Sequence, residues 1–225
     1  MEKKQYSLCL EILRRLHRAG VLGHCIIIGS WCAEFYKEYF GDEYPYLLKT
    51  RDIDFLIPSP SKIKQKTDVP KLLEDLGFIM DFQGSKGYIK LQHPDIILEF
   101  LVPEKGRGID KPYPLPQLGM NAQTLRFLDL LTQNTIQATV EGIRIVLPHP
   151  ANFAFQKLII SQRRQSEEKA RKDKDSAIEI LKLLIEKGKA AEIKDLYFSI
   201  LESWKRKIKK VLEEEKEFDI LNVLK

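Results

Sequence analysis

The sequence predicts an α+β fold, a mixed sheet flanked by helices over residues 1–147, followed by a helical domain over residues 148–225. Three observations predict it. Short apolar runs of strand character, bounded by Gly, Pro, Asn or Ser, recur between Val21 and Leu147 and are absent afterwards. The prolines of Pro148-His149-Pro150 interrupt the chain at that change. Beyond them, apolar residues return at helical spacing through to Leu224.

Taken in order, residues 6–19 read as a helix, with Leu8, Ile12 and Leu16 on one row and Leu10 and Leu13 beside it, ended by Gly20. Residues 21–28 supply a first strand, apolar enough to be buried on both faces. Residues 31–39 carry Ala33, Phe35, Tyr36 and Tyr39 at helical spacing. The loop after Gly41 contains Tyr44-Pro45-Tyr46, aromatics suited to packing or to stacking on a base. A second strand follows at residues 50–57 and is broken by Pro58-Ser59-Pro60-Ser61.

Residues 69–76 form a short amphipathic helix closed by Gly77. Residues 78–82 and 88–92 pair as a hairpin across Gly84-Ser85-Lys86-Gly87, and residues 95–102 make the next strand. Residues 102–119, with Lys105, Arg107 and Lys111 among prolines and glycines, read as an exposed connection. Residues 125–131, 135–140 and 143–147 are expected to be β, the last two joined at Glu141-Gly142. Helices are then expected over residues 151–161, 167–187 and from 190 onward.

The 225 residues can bury a substantial core, and 44% hydrophobic with 31% charged residues describe a globular protein. No run of eighteen apolar residues exists, so no membrane span is expected. Met1-Glu2-Lys3-Lys4-Gln5 leads into a polar, periodic segment instead of an apolar signal core, which makes the cytoplasm the expected location. Cys9, Cys25 and Cys32 are odd in number and lack CxxC spacing, against a disulfide framework or a zinc site. The net charge of +5 permits contact with nucleic acid without demanding it.

The chemistry concentrates in two stretches. Cys25-Ile26-Ile27-Ile28-Gly29-Ser30-Trp31 is an apolar strand running through Gly-Ser into a helix. Gly29 lets the backbone approach a phosphate closely, and Ser30 is placed to cap the helix whose amides face the anion. Thr50-Arg51-Asp52-Ile53-Asp54-Phe55-Leu56-Ile57 then carries two acids at i and i+2, on one face of a strand and roughly 6.5–7 Å apart. Such carboxylates suit a hard cation such as Mg²⁺ shared with phosphate oxygens. Together the two stretches read as a device for a nucleoside triphosphate (NTP) and its metals. No GxxxxGK[ST] occurs, which weighs against a P-loop enzyme.

Glu99 interrupts the apolar run of residues 95–102, and a carboxylate there needs compensation, from a metal or from a buried Lys or Arg. Asp95 shares its parity but follows His93-Pro94, where it reads as a turn residue. In the helical half, Lys157 falls in a largely apolar stripe, from which it can snorkel or reach a triphosphate. Asp173 shares a face with Ala170, Ala177 and Ile180 and is the inward acid of its helix. The run Lys205-Arg206-Lys207-Ile208-Lys209-Lys210 reads as a solvated face that could also touch RNA phosphates.

At these residues the sequence resembles the nucleotidyltransferase superfamily with the polymerase-beta-like catalytic fold, whose signature is an apolar strand, Gly-Ser or Gly-Gly, and then hDhDh. The resemblance covers about residues 20–105. It implies that Asp52 and Asp54 are joined by a third carboxylate from the neighbouring strand, the position Glu99 matches. Lys157-Leu158, Arg163-Arg164 and Arg171-Lys172-Asp173-Lys174-Asp175 are similar to the KL, R and KDxxD region of bacterial nucleotidyltransferase-like proteins, including the abortive-infection toxin type. Here the acids are spaced DKD. In those relatives the lysine and acid reach toward the nucleotide.

The expected activity is therefore Mg²⁺-dependent transfer of a nucleotidyl group from an NTP to a hydroxyl acceptor, which could be RNA, protein or a small molecule. Asp52, Asp54 and Glu99 would be catalytic and metal-binding; Gly29, Ser30, Lys157 and Asp173 would bind nucleotide. Two other classes remain open: a non-catalytic nucleotide-binding regulator on the same fold, and an RNA-interaction module using the basic helices.

Overall fold

The structure is a computed structural model that describes residues 2–41, 50–104 and 111–225. Two compact units divide the chain, Met1–Pro148 and His149–Lys225.

In the first unit, helix α1 (Glu2–Arg18) buries Cys9, Ile12, Leu13 and Leu16. Its Gln5 amide donates to the carbonyls of Thr50 (3.3 Å) and Asp95 (3.0 Å), tying the helix to the entrances of two strands. Arg15 holds Asp75 through two nitrogens, the second at 2.8 Å, and Glu11 at 3.0 Å. Strand β1 (Ile26–Ile28) is only three residues long. The expected strand over residues 21–28 is shortened because residues 22–24 make a tight helical turn instead, with Cys25 N–H returning to the Leu22 carbonyl at 3.0 Å. The turn buries Val21, Leu22 and Cys25, so these residues are as apolar as those of a strand.

After β1 the chain passes through α2 (Trp31–Phe35) and α3 (Lys37–Phe40) and returns as β2 (Asp52–Leu56). A cap and Gly77 at φ 90° bound the next helical segment, α4 (Val69–Leu73) with a tight turn over residues 74–76. Strands β3 (Ile79–Gln83) and β4 (Tyr88–Gln92) form the expected hairpin, and β5 (Ile97–Pro103) follows. The expected exposed connection of residues 102–119 contains a further short strand, β6 (Tyr113–Leu115), and Leu115 and Leu118 are fully buried. Its Lys105 and Arg107, like Tyr44-Pro45-Tyr46, lie outside the described residues.

The strand expected at residues 125–131 sits earlier, as β7 (Met120–Leu125), where Met120 and Ala122 are buried and Asn121 and Gln123 are less so. Phe127 adopts φ 65°, which ends extended structure, and residues 128–132 form a tight helical turn. Strands β8 (Ile136–Val140) and β9 (Ile143–Leu147) pair across Glu141 and Gly142, both at positive φ (46° and 78°), as a primed hairpin turn requires.

The sheet order is β1-β2-β5-β4-β3, with β7 also pairing β5 and β6 pairing β7. β2 is antiparallel to β1 and parallel to β5, so the sheet is mixed. One face of its centre is the core: Ile53, Phe55, Leu98 and Phe100 are buried, and the Phe55 and Phe100 rings stack at 5.3 Å between centroids. The alternation of strand side chains puts Asp52, Asp54 and Glu99 on the opposite face.

The second unit is helical: α5 (Pro150–Ser161), α6 (Glu167–Glu186), α7 (Ala190–Ser199), α8 (Glu202–Glu214) and α9 (Phe218–Val223). Helices α5 and α6 pack on each other, and Phe155, Leu158, Ile159, Ala177, Leu181 and Leu184 are fully buried. His149 caps α5 through Nδ1, which accepts from the Ala151 N–H at 3.2 Å. Ser166 caps α6, and Gly188 ends it at φ 75°.

Candidate active site

The acids are brought together by strand register. Asp54 of β2 stands directly beside Glu99 of the parallel β5, and Asp52 beside Ile97. Neighbouring strands run about 4.8 Å apart, so the Asp54 and Glu99 side chains rise from adjacent points on one face. On its other flank Asp54 pairs with Ile28 at the end of β1. All three acids are half-buried.

Gly29 follows β1 at φ 72° and turns the chain past this face. A Cβ there would overlap Oδ2 of Asp54 and stand 3.2 Å from its Cγ, so only glycine permits both the turn and the carboxylate. Ser30 does not cap the helix it precedes. Its backbone is already helical and its hydroxyl is hydrogen-bonded to the Thr50 hydroxyl, across the mouth of β1 and β2. Helix α2 has five residues, so its dipole contributes little. What the Gly-Ser pair supplies is a fixed turn beside the acids.

Glu99 is compensated by Lys90 of the antiparallel β4, whose ammonium forms an ion pair with Oε1. The pairing of Leu91 with Leu98 and Gln92 with Ile97 puts Lys90 opposite Glu99 one step further along the ladder. Lys90 was not singled out from sequence, although the short link between β4 and β5 fixes this register and would have exposed it. Among the described residues no three His, Cys, Asp or Glu side chains converge as a ready-made metal cage. Arg51 points away from the acids and donates to the His93 carbonyl at 3.0 Å.

In the helical unit Lys157 and Asp173 do meet. Lys157 Nζ lies 2.7 Å from Asp173 Oδ1, and Arg164 Nε lies 2.7 Å from Oδ2, so one buried carboxylate is shared by two cations. The Phe153 ring sits under the ammonium, 5.2 Å from centroid to Nζ. Arg164, part of a motif seen in the sequence, was not recognised there as the partner of Asp173. The basic run on α8 is partly matched by its own helix: Lys205 pairs with Glu202 at 2.7 Å, Lys209 with Glu213 at 3.7 Å and Lys210 with Glu214 at 3.8 Å.

Among the described residues no helix is long and apolar enough to cross a membrane. Comparison with curated protein sequences finds no match. Three solved structures are similar. An antigenic nucleotidyltransferase-like protein from Paracoccidioides brasiliensis shares 13% identity over 96% of this chain and 90% of its own, with a TM-score of 0.52. The antibiotic-resistance factor ANT(2'')-Ia in solution shares 14% over 97% and 100%, with a TM-score of 0.49. Its crystal structure in complex with adenylyl-2''-tobramycin shares 13% over 86% and 94%, with a TM-score of 0.47. At 13% identity the first likeness bears on the fold alone. Sequence carries the assignment further than structure does: the family profile described as nucleotidyltransferase matches residues 8–202, nearly the whole chain, and the protein belongs to the nucleotidyltransferase family.

Proposed function

We propose that this chain transfers a nucleotidyl group from an NTP to a hydroxyl acceptor, using Asp52, Asp54 and Glu99 as its reactive face. The observation that carries the proposal is the register of Asp54 with Glu99 on parallel strands, beside a glycine turn that packs its backbone directly against the Asp54 carboxylate. In the reaction the acceptor oxygen bonds to the α-phosphorus, and the bond from that phosphorus to its bridging oxygen breaks. Pyrophosphate departs with the electron pair, and the acceptor proton passes to a carboxylate of the site.

The donor set fits Mg²⁺: the carboxylate oxygens of adjacent strands rise on one face and are hard and anionic. Asp52 and Asp54 would hold it, with Glu99 joining when it parts from Lys90. Bound there, the cation supplies charge neutralisation for the triphosphate and acidifies the acceptor hydroxyl. The chain's own part is to hold the carboxylates in register on a rigid sheet, a positioning that catalysis depends on. Gly29 and the fixed Ser30 hydroxyl would border the phosphates. In the helical unit, taken by itself, a nucleotide-binding role for Lys157 and Asp173 would require the Lys157 ammonium to part from Asp173. The three cysteines, all buried and unbridged, suit a reducing compartment such as the cytoplasm.

The test is incubation with α-³²P-labelled NTPs, Mg²⁺ and a cell extract, followed by identification of whatever becomes labelled. Label that appears with wild type and is lost with Asp54→Asn supports the transferase. A protein that binds NTP yet labels nothing across extracts is the non-catalytic relative.

A further inference from the structure

Lys90 occupies a place that the transfer reaction does not by itself explain. Across the sheet a row of charges runs from Asp54 on β2 to Glu99 on β5, Lys90 on β4 and Asp81 on β3. Lys90 has a carboxylate on either side, since Asp81 is its partner in the β3–β4 register. It is engaged with only one of them. Asp81 accepts instead from the amides of Gln83 and Gln92, the latter at 2.5 Å, while the Lys90 ammonium is given to Glu99. The pair is largely sheltered, with side-chain exposure of 28% for Lys90 and 16% for Glu99.

We infer that Lys90 is a built-in counter-cation that holds Glu99 until a divalent ion displaces it, and that it thereby sets how tightly the acidic face takes metal. The inference rests on the proposed metal role of Asp52, Asp54 and Glu99. Two adjacent carboxylates repel, and like charges directly opposite on neighbouring strands destabilise a sheet. The Lys90 ammonium offsets that repulsion when no other cation is at hand. The same charge opposes an incoming divalent ion and occupies an oxygen the ion needs. A flexible four-carbon stem with a single point charge can withdraw, whereas an arginine fork would grip the carboxylate with two nitrogens. Lys90 is thus a positioning residue, acting through Glu99, and it couples release of the ion pair to loading of the site.

The experiment is titration with Mn²⁺ alone, without nucleotide, following free Mn²⁺ by electron paramagnetic resonance, together with thermal melts in EDTA. Lys90→Met should bind Mn²⁺ at least about tenfold more tightly than wild type, equivalent to about 1.4 kcal/mol. The same variant should melt lower in EDTA and recover most of the difference in saturating Mn²⁺. Lys90→Arg, which keeps the charge and the fold, should bind Mn²⁺ no better than wild type, and more weakly if the fork grips Glu99. If Asp54→Asn abolishes Mn²⁺ binding but Lys90→Met binds with the wild-type affinity, the metal site stands and the counter-cation role is wrong. Tighter Mn²⁺ binding by Lys90→Arg than by wild type would also overturn it. If Asp54→Asn binds Mn²⁺ as wild type does, the acids are not the metal site and both readings fall together.

Discussion

The backbone of Gly29 lies so close to the Asp54 carboxylate that a Cβ at residue 29 would overlap Oδ2, while φ at this glycine is 72°. Two independent constraints, conformation and space, therefore fall on one residue. Gly29→Ala should cost about 1–2 kcal/mol from the left-handed backbone alone, and Asp54 must shift as well. The expected outcome is a melting temperature lowered by several degrees and a nucleotidyl-transfer rate reduced out of proportion to that loss. Differential scanning calorimetry beside the labelling assay separates the two effects. A variant that melts lower but transfers at the wild-type rate would mean that the contact with Asp54 serves folding only.

Asp54 and Glu99 stand in register on parallel strands, and Lys90 pairs with Glu99. Asp54→Asn keeps the shape and removes a charge. Transfer should fall at least about a hundredfold, since each 1.36 kcal/mol of lost stabilisation is tenfold in rate. In EDTA the same variant should melt at or above the wild-type temperature, by up to about 1 kcal/mol of added stability, because cross-strand repulsion is relieved. Activity and stability are thus expected to move in opposite directions. A lower melt with undiminished transfer would make Asp54 a structural residue.

How much of this was legible in the sequence depended on whether the signal was local. The acids of β2 could be read because strand alternation is a local rule, and Asp52, Ile53 and Asp54 display it within three residues. The hairpins at residues 79–92 and 136–147 were legible for the same reason, since their turns announce themselves through glycine. Strand β1 was overcalled because Val21, Leu22 and Cys25 are buried in a turn as completely as they would be in a strand, and apolarity alone does not separate the two. Strand β7 was misplaced because only Met120 and Ala122 carry its buried row, while Leu128, Leu130 and Leu131 offer a stronger apolar signal in a segment that is a tight helical turn. The role of Ser30 was misjudged because a serine before a helix is an N-cap by frequency, and only the fold brings Thr50 within reach of its hydroxyl. Asp173 and Lys157 were both picked out, yet their pairing depends on how α5 and α6 pack, which periodicity does not encode.

His149 links stability to pH. Its Nδ1 accepts from the Ala151 N–H, so the neutral ring carries its proton on Nε2, facing Glu192 at 3.3 Å. Burial lowers its pKa below the ordinary 6.5, and this outweighs the opposing pull of Glu192. Protonating Nδ1 would also delete the cap. A folded-state pKa below the unfolded one means that the unfolded chain binds the proton first. The contribution is therefore intact above about pH 6.5 and is lost as pH falls from there through the folded value. His149→Asn retains a capping side chain and does not titrate. Its stability from urea melts should fall less steeply than wild type between about pH 7 and 5.5; parallel curves would rule the histidine out as the source.

The last prediction concerns the shared carboxylate of the helical unit. Asp173 is 5% exposed and holds Lys157 and Arg164 at 2.7 Å each, so removing it leaves two cations facing one another with the sheltered one, Lys157, unpaired. Breaking a buried pair by deleting one partner is far more costly than replacing both, and Asp173→Asn should destabilise by about 2–4 kcal/mol. Lys157→Met leaves Asp173 with Arg164 and places an apolar chain beside Phe153, so its cost should be smaller, about 1–2 kcal/mol. The double variant should be more stable than the sum of the single losses, since the two residues share one interaction. Calorimetric binding of an NTP then separates structure from function. If Lys157 serves nucleotide as well as Asp173, Lys157→Met lowers NTP affinity at a temperature where the variant is fully folded. Unchanged affinity there would confine the pair to holding α5 against α6.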